Sequence, residues 1–211
     1  GGFFPNQCEM VLKKFDYPVA MSKWGRDQAK AQFGLHVDYI PHGIRLQDFY
    51  SFSTEKKQAV RMQFSNKIGK DLRNHFIVGM VGRNQPRKFM DRALKAFSLF
   101  AQGKEDVSLV LHTDPQDPAQ SFPILEEIKR VGIGHKSFFT GMSAVNGFPD
   151  EKMKDVYNLF DVKLDTTSGE GFGITLIESM ACEVPVIITD YTTSKEIVFD
   201  HKAGLPVPLM G

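Results

Sequence analysis

The sequence has few features of a secreted, membrane-spanning or nucleic-acid-binding protein. It contains only two cysteines, Cys8 and Cys182, and no Cys-x-x-Cys pair, which favours reduced thiols in a cytoplasmic protein over a disulfide framework. No apolar run approaches the roughly 20 residues that a membrane-spanning helix needs, and no signal peptide is recognisable. The formal net charge is only +1, so no overall field points to nucleic acid or to an anionic membrane.

What is present is the composition of an ordinary globular protein. Of the 211 residues, 42% are hydrophobic and 24% are charged, and this length allows one domain plus part of another. The chain opens with Gly1-Gly-Phe-Phe-Pro5 rather than with methionine, and it stops directly after a predicted strand. We therefore expect a longer protein at both ends.

From Phe76 onward, short apolar runs alternate with helical stretches. The predicted strands cover residues 76–81, 107–111, 137–139, 162–164, 185–189 and 204–207. The predicted helices between them cover residues 89–102, 122–131, 150–160, 174–182 and 193–199. Strands that lack in/out alternation are typical of parallel sheets, which are buried on both faces. The pattern predicts an α/β fold with a doubly wound, mostly parallel, six-stranded Rossmann-like sheet, whose ligand crevice lies at the carboxyl ends of the strands.

The residues before this domain predict a smaller βαβ unit. A helix at 6–15 precedes a buried strand at 17–21, and a second strand covers 37–40. Between the strands, a helix covers 23–33, with Ser22 as its N-cap and Gly34 as its C-cap.

One glycine-rich stretch, residues 165–178, joins a predicted strand to a predicted helix. Its glycines at 169, 171 and 173 let the chain turn sharply and let a ligand approach the main chain. The free N–H groups that open a helix favour an anion at such a junction. Two carboxylates, Glu170 and Glu178, bracket the turn at Glu-x7-Glu spacing. This combination indicates a binding site rather than a plain tight turn.

A second candidate anion site follows the first strand of the same domain. There the sequence reads Gly82-Arg-Asn-Gln-Pro-Arg-Lys88. Arginine offers a rigid fork of donors and lysine a mobile point charge, and a diphosphate can use both. The stretch is too bulky and cationic for the Gly-x-Gly-x-x-Gly turn of dinucleotide-dependent oxidoreductases. The sequence therefore argues against that class of enzyme.

The stretch Ser168-Gly-Glu-Gly-Phe-Gly-Ile-Thr-Leu-Ile-Glu178 resembles the signature of family 4 retaining glycosyltransferases, which have the two-domain GT-B fold. The resemblance implies the C-terminal, donor-binding domain of such an enzyme, with the tail of its N-terminal domain. It implies transfer of a hexosyl group from a UDP- or GDP-linked sugar. The expected parts are 1–47, a remnant of the N-terminal, acceptor-side domain with the linker; 48–74, a connecting helical segment; and 75–211, the donor-binding domain.

The same resemblance implies roles for the cations after the first strand. Arg83 and Lys88 correspond to the family's arginine and lysine that grip the donor's diphosphate, and both would support catalysis. Arg87 is an alternative to Lys88, because Phe89 stands where many members have glycine.

For the carboxylates, the resemblance implies that Glu170 orients the transferred sugar and supports the transition state. Glu178 would accept hydrogen bonds from the ribose. Met142 and Ser143 lie where a nucleobase usually sits in this fold. The remaining residues implied to line the sugar and the diphosphate are Gly171, Phe172, Gly173 and Ile174. We expect the cations, the glycine turn and Glu178 to surround one pyrophosphate.

A further glutamate, Glu196, occupies the place of the family's Gly-Gly-x-x-Glu stretch, although both glycines are missing. Thr193 or Ser194 is interpreted as a helix cap there. None of the six histidines pairs at metal-ligand spacing, so we expect no metal site and no required cofactor.

The expected partners are a nucleotide-sugar donor and a saccharide or other hydroxyl acceptor, with no nucleic acid; the sequence leaves peripheral membrane association open. GT-B catalysis occurs between two domains, so we expect this chain alone to bind nucleotide and to transfer little. A non-catalytic nucleotide or sugar-phosphate binding module of the same fold is the alternative.

Overall fold

The computed structural model describes residues 6–209, and its first elements form a small βαβ unit. Helix α1 (Asn6–Leu12) ends earlier than the predicted helix. Strands β1 (Val19–Ala20) and β2 (Asp38–Tyr39) pair in parallel and flank α2 (Lys23–Phe33). Both predicted caps of α2 are confirmed: the Ser22 hydroxyl accepts from the Gly25 N–H, and Gly34 is left-handed.

Helix α3 (Thr54–Ile68) follows as the connecting segment and is shorter than predicted. Ser53 caps it by accepting from the Lys56 N–H. Arg61 holds it to the larger domain, because its guanidinium donates to the Leu159 carbonyl and pairs with Asp161 at 2.8 Å.

The larger domain contains a six-stranded sheet in which every pairing is parallel, which confirms the predicted fold class. The spatial order is β5-β4-β3-β6-β7-β8. Its strands are β3 (Phe76–Val81), β4 (Val107–His112), β5 (Ser137–Phe139), β6 (Val162–Asp165), β7 (Val186–Thr189) and β8 (Gly204–Val207).

Helices cover both faces of this sheet, so alternate residues of one strand enter different cores. In β3, Val78 packs into the core under α4 (Met90–Phe100) and α5 (Ile124–Arg130). Ile77 packs into the opposite core, which includes α3 and α6 (Met153–Asn158). Burial on both faces explains why the strands lack in/out alternation. A third core lies between α7 (Ile174–Ala181) and β7.

The strand order creates a topological switch point between β3 and β6. From β3 the chain builds outward through β4 and β5, and then crosses back to β6 on the other side of β3. Loops at the carboxyl ends of β3 and β6 therefore leave in opposite directions, and ligands of open α/β sheets bind in such crevices. Across residues 6–209, no helix has both the length and the apolarity needed to cross a bilayer.

Candidate functional site

The loop after β3 brings two cations to the switch point. Lys88 ends a short 3-10 turn, Pro86–Lys88, and its side chain is buried. Its Nζ donates to Oε1 of Glu170 at 2.5 Å. Arg87 is half exposed, and its Nη1 donates to the same oxygen at 2.8 Å and to the Gly169 carbonyl at 3.2 Å. Lys88 and Arg87, the two candidates for the family's diphosphate-binding lysine, therefore both contact the Glu170 carboxylate.

The residue after Lys88 explains how this turn forms without the expected glycine. Phe89 adopts a left-handed conformation, with φ 44° and ψ 44°, and α4 begins directly after it. Such a conformation favours glycine, so an aromatic residue here is strained and needs support from its surroundings. The Arg92 guanidinium stacks 4.0 Å from the Phe89 ring, and the Thr166 hydroxyl donates to the Phe89 carbonyl. The chain therefore makes a left-handed turn at Phe89, although phenylalanine replaces the glycine that many family members have at this position.

The glycine loop after β6 lies against the loop after β3, as the expected crevice requires. The Ser168 N–H donates to the Arg87 carbonyl at 2.7 Å. At the other end of the loop, Gly173 has φ 96° and opens α7, whose first residue is the exposed Ile174. The positive φ favours glycine at 173, and an added Cβ, 2.6 Å from the Leu176 side chain, would also displace that leucine.

Residues 191–196 contact the other side of the glycine loop. The predicted helix cap at Thr193 or Ser194 is not found there. The Thr193 hydroxyl donates to the Phe172 carbonyl at 3.1 Å, and Ser194 bonds to the main chain of Tyr191. The following segment, Lys195–Phe199, forms a π-helical turn. The Thr193 hydroxyl thus bonds to the glycine loop, and the Ser194 hydroxyl to its own turn, instead of capping a helix.

Glu196 fixes the N-terminal unit to this region. Its carboxylate accepts from the main-chain N–H groups of Lys23 at 2.9 Å and Trp24 at 3.2 Å. These are the first residues of α2, where a negative charge compensates the helix dipole. Nearby, the His42 ring packs edge-on against Phe172 at 5.2 Å. The N-terminal unit thus lies directly on the glycine loop.

Arg83 has a different partner from the other two cations. Its guanidinium makes a bidentate pair with Asp117, at 2.5 Å and 3.0 Å, in the loop after β4. The Asp117 side chain is 1% exposed, and Arg83, with help from the Ala119 N–H, lowers the pKa of that carboxyl. In the described part of the chain, no hydrogen bond or ion pair joins Arg83 to Lys88 or Glu170.

Glu178 is bound on the inner side of α7. The Tyr157 hydroxyl donates to its Oε2 at 2.6 Å. Burial raises the pKa of Glu178, although that hydrogen bond and the nearby Lys163 oppose the rise. Tyr157 is fully buried, and burial together with Glu178 raises its pKa well above the usual value, so it remains a donor. Glu178 is therefore partly buried, and within residues 6–209 it makes no ion pair with Lys88 or Arg83.

Met142 and Ser143 lie in the loop after β5, two strands away from β3. Both are partly buried. Ser143 turns this loop by accepting from the N–H groups of Val145 and Asn146. They share the carboxyl end of the sheet with the cluster around Lys88, and no direct contact between the two is found in the described residues.

The sequence analysis did not predict the buried ion pair of Lys163 and Asp165, which lies beneath the cluster of Lys88 and Glu170. Lys163, in the middle of β6, is 0% exposed and donates to Asp165 at 2.9 Å. The Asp165 carboxylate also lies 3.6 Å from the Lys88 Nζ. Burial alone would raise the pKa of Asp165, but the ammonium groups of Lys163 and Lys88 outweigh it and lower the pKa. The available signal was a lysine inside an otherwise apolar strand that ends in aspartate.

His112 also ends a strand at this edge. Its Nδ1 lies 2.8 Å from the Thr140 hydroxyl, and its ring packs against Phe148. Burial lowers the pKa of His112 to about 4, so the ring is neutral at pH 7. It adds no positive charge to the site.

Known proteins of one family are similar to this chain in sequence. A family model described as "Glycosyl transferases group 1" matches residues 62–208. Mannosylfructose-phosphate synthase of Agrobacterium fabrum is 27% identical over 192 residues, which cover 87% of this chain and 40% of the synthase. Alpha-maltose-1-phosphate synthase of Mycolicibacterium smegmatis is 31% identical over 202 residues, covering 93% of this chain and 49% of that protein. The chain thus spans less than half the length of these two relatives.

Solved structures agree on the fold. The crystal structure of Anabaena HepE in complex with UDP-glucose matches 97% of this chain and 54% of HepE, with a TM-score of 0.75 at 19% identity. This likeness supports the GT-B fold. Because the family model covers more than half of the sequence, the chain belongs to the glycosyl transferases group 1 family, as the resemblance to family 4 enzymes predicted.

Proposed function

We propose that this chain is the donor-binding part of a retaining glycosyltransferase, which transfers a hexosyl group from a UDP- or GDP-linked sugar to a hydroxyl acceptor. The observation that carries the proposal is the cluster of Arg87, Lys88 and Glu170 at the switch point between β3 and β6. Two cations, a carboxylate and the start of a helix meet there, next to main chain that a ligand can approach.

The charges of this cluster would allow a diphosphate to replace Glu170 as the partner of the two cations. Arg87 and Lys88 share one carboxylate oxygen of Glu170. A diphosphate carries more negative charge and more acceptor oxygens than a carboxylate, so it competes well for both cations. Its arrival would release Glu170 to accept hydrogen bonds from hydroxyls of the sugar. Glu170 would then orient the donor, and we assign it no role as a nucleophile.

The chemical step places negative charge on the leaving nucleoside diphosphate. Donors that already point at its oxygens stabilise the transition state more than the ground state. Lys88 is the strongest candidate because it is buried and held on two sides. Loss of one such donor typically costs about 2–4 kcal/mol in activation free energy. With this charge compensation, the proposal includes no metal and no further cofactor.

Other residues would bind the rest of the donor. Tyr157 occupies one oxygen of Glu178, and the other oxygen would accept from the ribose hydroxyls. Met142 and Ser143 would lie along the base. Arg83 would reach the diphosphate from the side of β4, with Asp117 fixing its guanidinium. That Anabaena HepE was crystallised with UDP-glucose supports a UDP-linked sugar as the first donor to test.

The test is isothermal titration calorimetry of the chain with UDP, GDP and ADP and the corresponding monophosphates. We expect one diphosphate to bind more tightly than its monophosphate, and we expect Lys88→Ala to remove that difference. Lys95→Ala, on the exposed side of α4, is the matched control and should bind as wild type. Equal affinity for diphosphate and monophosphate in the wild type would refute the proposal.

Turnover separates the proposal from a non-catalytic binding module of the same fold. It is measured on the protein at the length of its relatives, by release of nucleoside diphosphate from the sugar donor. We expect Glu170→Gln to abolish release while nucleotide binding persists. A protein that binds the donor and never turns it over would instead support the binding module.

A further inference from the structure

The buried pair of Lys163 and Asp165 is unusual for its position. β6 lies inside the sheet, between β3 and β7, and the Lys163 side chain is completely buried. Desolvation of each ion costs several kcal/mol, and replacement of such a pair by apolar side chains is often neutral or stabilising. Stability of the sheet is therefore a weak explanation for two buried charges directly beneath the candidate site.

The distances among the four charged groups indicate which lysine binds which carboxylate. The Asp165 carboxylate lies 2.9 Å from the Lys163 Nζ and 3.6 Å from the Lys88 Nζ. The Lys88 Nζ is in turn closer to Glu170, at 2.5 Å. Asp165 is thus bound mainly by Lys163, whereas Lys88 is bound mainly by Glu170 at the crevice.

Building on the proposed function, we propose that Lys163 is a positioning residue for diphosphate binding. By neutralising Asp165, it leaves Lys88 directed toward the crevice, where the diphosphate would bind. Without Lys163, the buried carboxylate of Asp165 would have Lys88 as its only cation within 4 Å among residues 6–209. An unpaired buried carboxylate is costly, so Lys88 would move to Asp165 and away from the ligand.

Inorganic pyrophosphate is the probe, because it requires no knowledge of the base or the sugar. We expect Lys163→Met to lower pyrophosphate affinity about tenfold, which corresponds to about 1.4 kcal/mol. The matched control is Lys136→Met, which removes another buried lysine; that lysine donates to the Lys104 carbonyl at the amino end of the edge strand β5, whereas the candidate site lies at the carboxyl ends of β3 and β6. This control should bind pyrophosphate as wild type.

A double-mutant comparison distinguishes positioning from a general effect of charge or folding. If Lys163 acts through Lys88, then Lys163→Met should change nothing further in a Lys88→Ala background. A remote charge effect, or a general loosening of the fold, would lower affinity by the same factor in both backgrounds. That second result would overturn the proposal.

Asp165→Asn provides a second variant in case Lys163→Met does not fold. It removes the carboxylate that competes for Lys88, so pyrophosphate affinity should equal or exceed that of wild type. A loss of more than about threefold would contradict the proposal, because it would make Asp165 an anchor of Lys88 rather than a competitor. If wild type itself bound neither pyrophosphate nor any nucleoside diphosphate, the proposed function would fail instead. Binding by wild type with unchanged affinity in Lys163→Met would leave that function standing and remove only the role of Lys163.

Discussion

The hydrogen bond between Tyr157 and Glu178 should stabilise the protein in a way that depends on pH. Tyr157→Phe removes only the hydroxyl that donates to Glu178 at 2.6 Å and leaves the fully buried ring in its core. Glu178 would then lose its donor in a site where burial already raises its pKa. The variant therefore isolates one hydrogen bond to a partly buried carboxylate.

The magnitude follows from the charge of the acceptor. Hydrogen bonds to charged groups contribute about 1.5–3 kcal/mol, whereas those between neutral groups contribute about 0.5–1.5 kcal/mol. The folded-state pKa of Glu178 is raised, so the folded state binds more protons than the unfolded state between the two pKa values. The contribution of Glu178 to stability is thus greatest below its unfolded pKa of about 4.3 and falls as pH rises through the folded pKa. Tyr157 limits that fall, because its hydroxyl stabilises the ionised carboxylate.

Urea unfolding of wild type and Tyr157→Phe at pH 7 and near pH 4 measures the effect. We expect the variant to lose about 1.5–3 kcal/mol of unfolding free energy at pH 7 and about half of that near pH 4, where Glu178 is largely protonated. Glu178→Gln is the control, since Tyr157→Phe in that background should cost the same at both values. An equal cost at pH 7 and pH 4 in the wild-type background would refute the assigned partner and charge of Glu178.

Two further predictions concern the glycine loop and the N-terminal unit. Gly173→Ala should lower the unfolding free energy by about 1–3 kcal/mol, because φ is 96° and the new Cβ would meet Leu176 at 2.6 Å; an unchanged urea midpoint would contradict this geometry. Glu196→Ala removes the acceptor for the Lys23 and Trp24 N–H groups, so limited proteolysis should cut faster within the first 50 residues while the larger domain persists. Cleavage at the wild-type rate would show that Glu196 does not hold this unit.

Strands and helix caps could be predicted from the sequence because they depend on short, local patterns of residues. Residues 76–81 form a strand with the predicted bounds, and β4 extends the predicted strand at 107–111 by one residue; both are buried along almost their whole length. The edge strands at 137–139 and 204–207 also have the predicted bounds, although they are more exposed. A parallel strand with helices on both faces needs apolar residues at successive positions, and this pattern is local. The caps at Ser22 and Gly34 are equally local, since each depends on bonds within one helical turn.

Irregular backbone was less accessible. The left-handed turn at Phe89 was not expected, because the conformation normally favours glycine and is supported here by Arg92 and by a hydroxyl from another loop. The segment 195–199 is a π-helical turn, and the Thr193 hydroxyl before it bonds to the glycine loop instead of capping a helix. At Phe89, support from outside the turn outweighs the local preference for glycine.

By itself, the sequence determined the parallel α/β fold, the glycine turn before α7, and membership in the glycosyl transferases group 1 family. Only the tertiary structure decided which charges meet across loops: Lys88 and Arg87 with Glu170, and Arg83 with Asp117. The physical reason is that hydrophobic periodicity and helix caps act over a few residues. An ion pair between loops depends instead on strand order, which brings together groups as far apart in the chain as Lys88 and Glu170, 82 positions from each other.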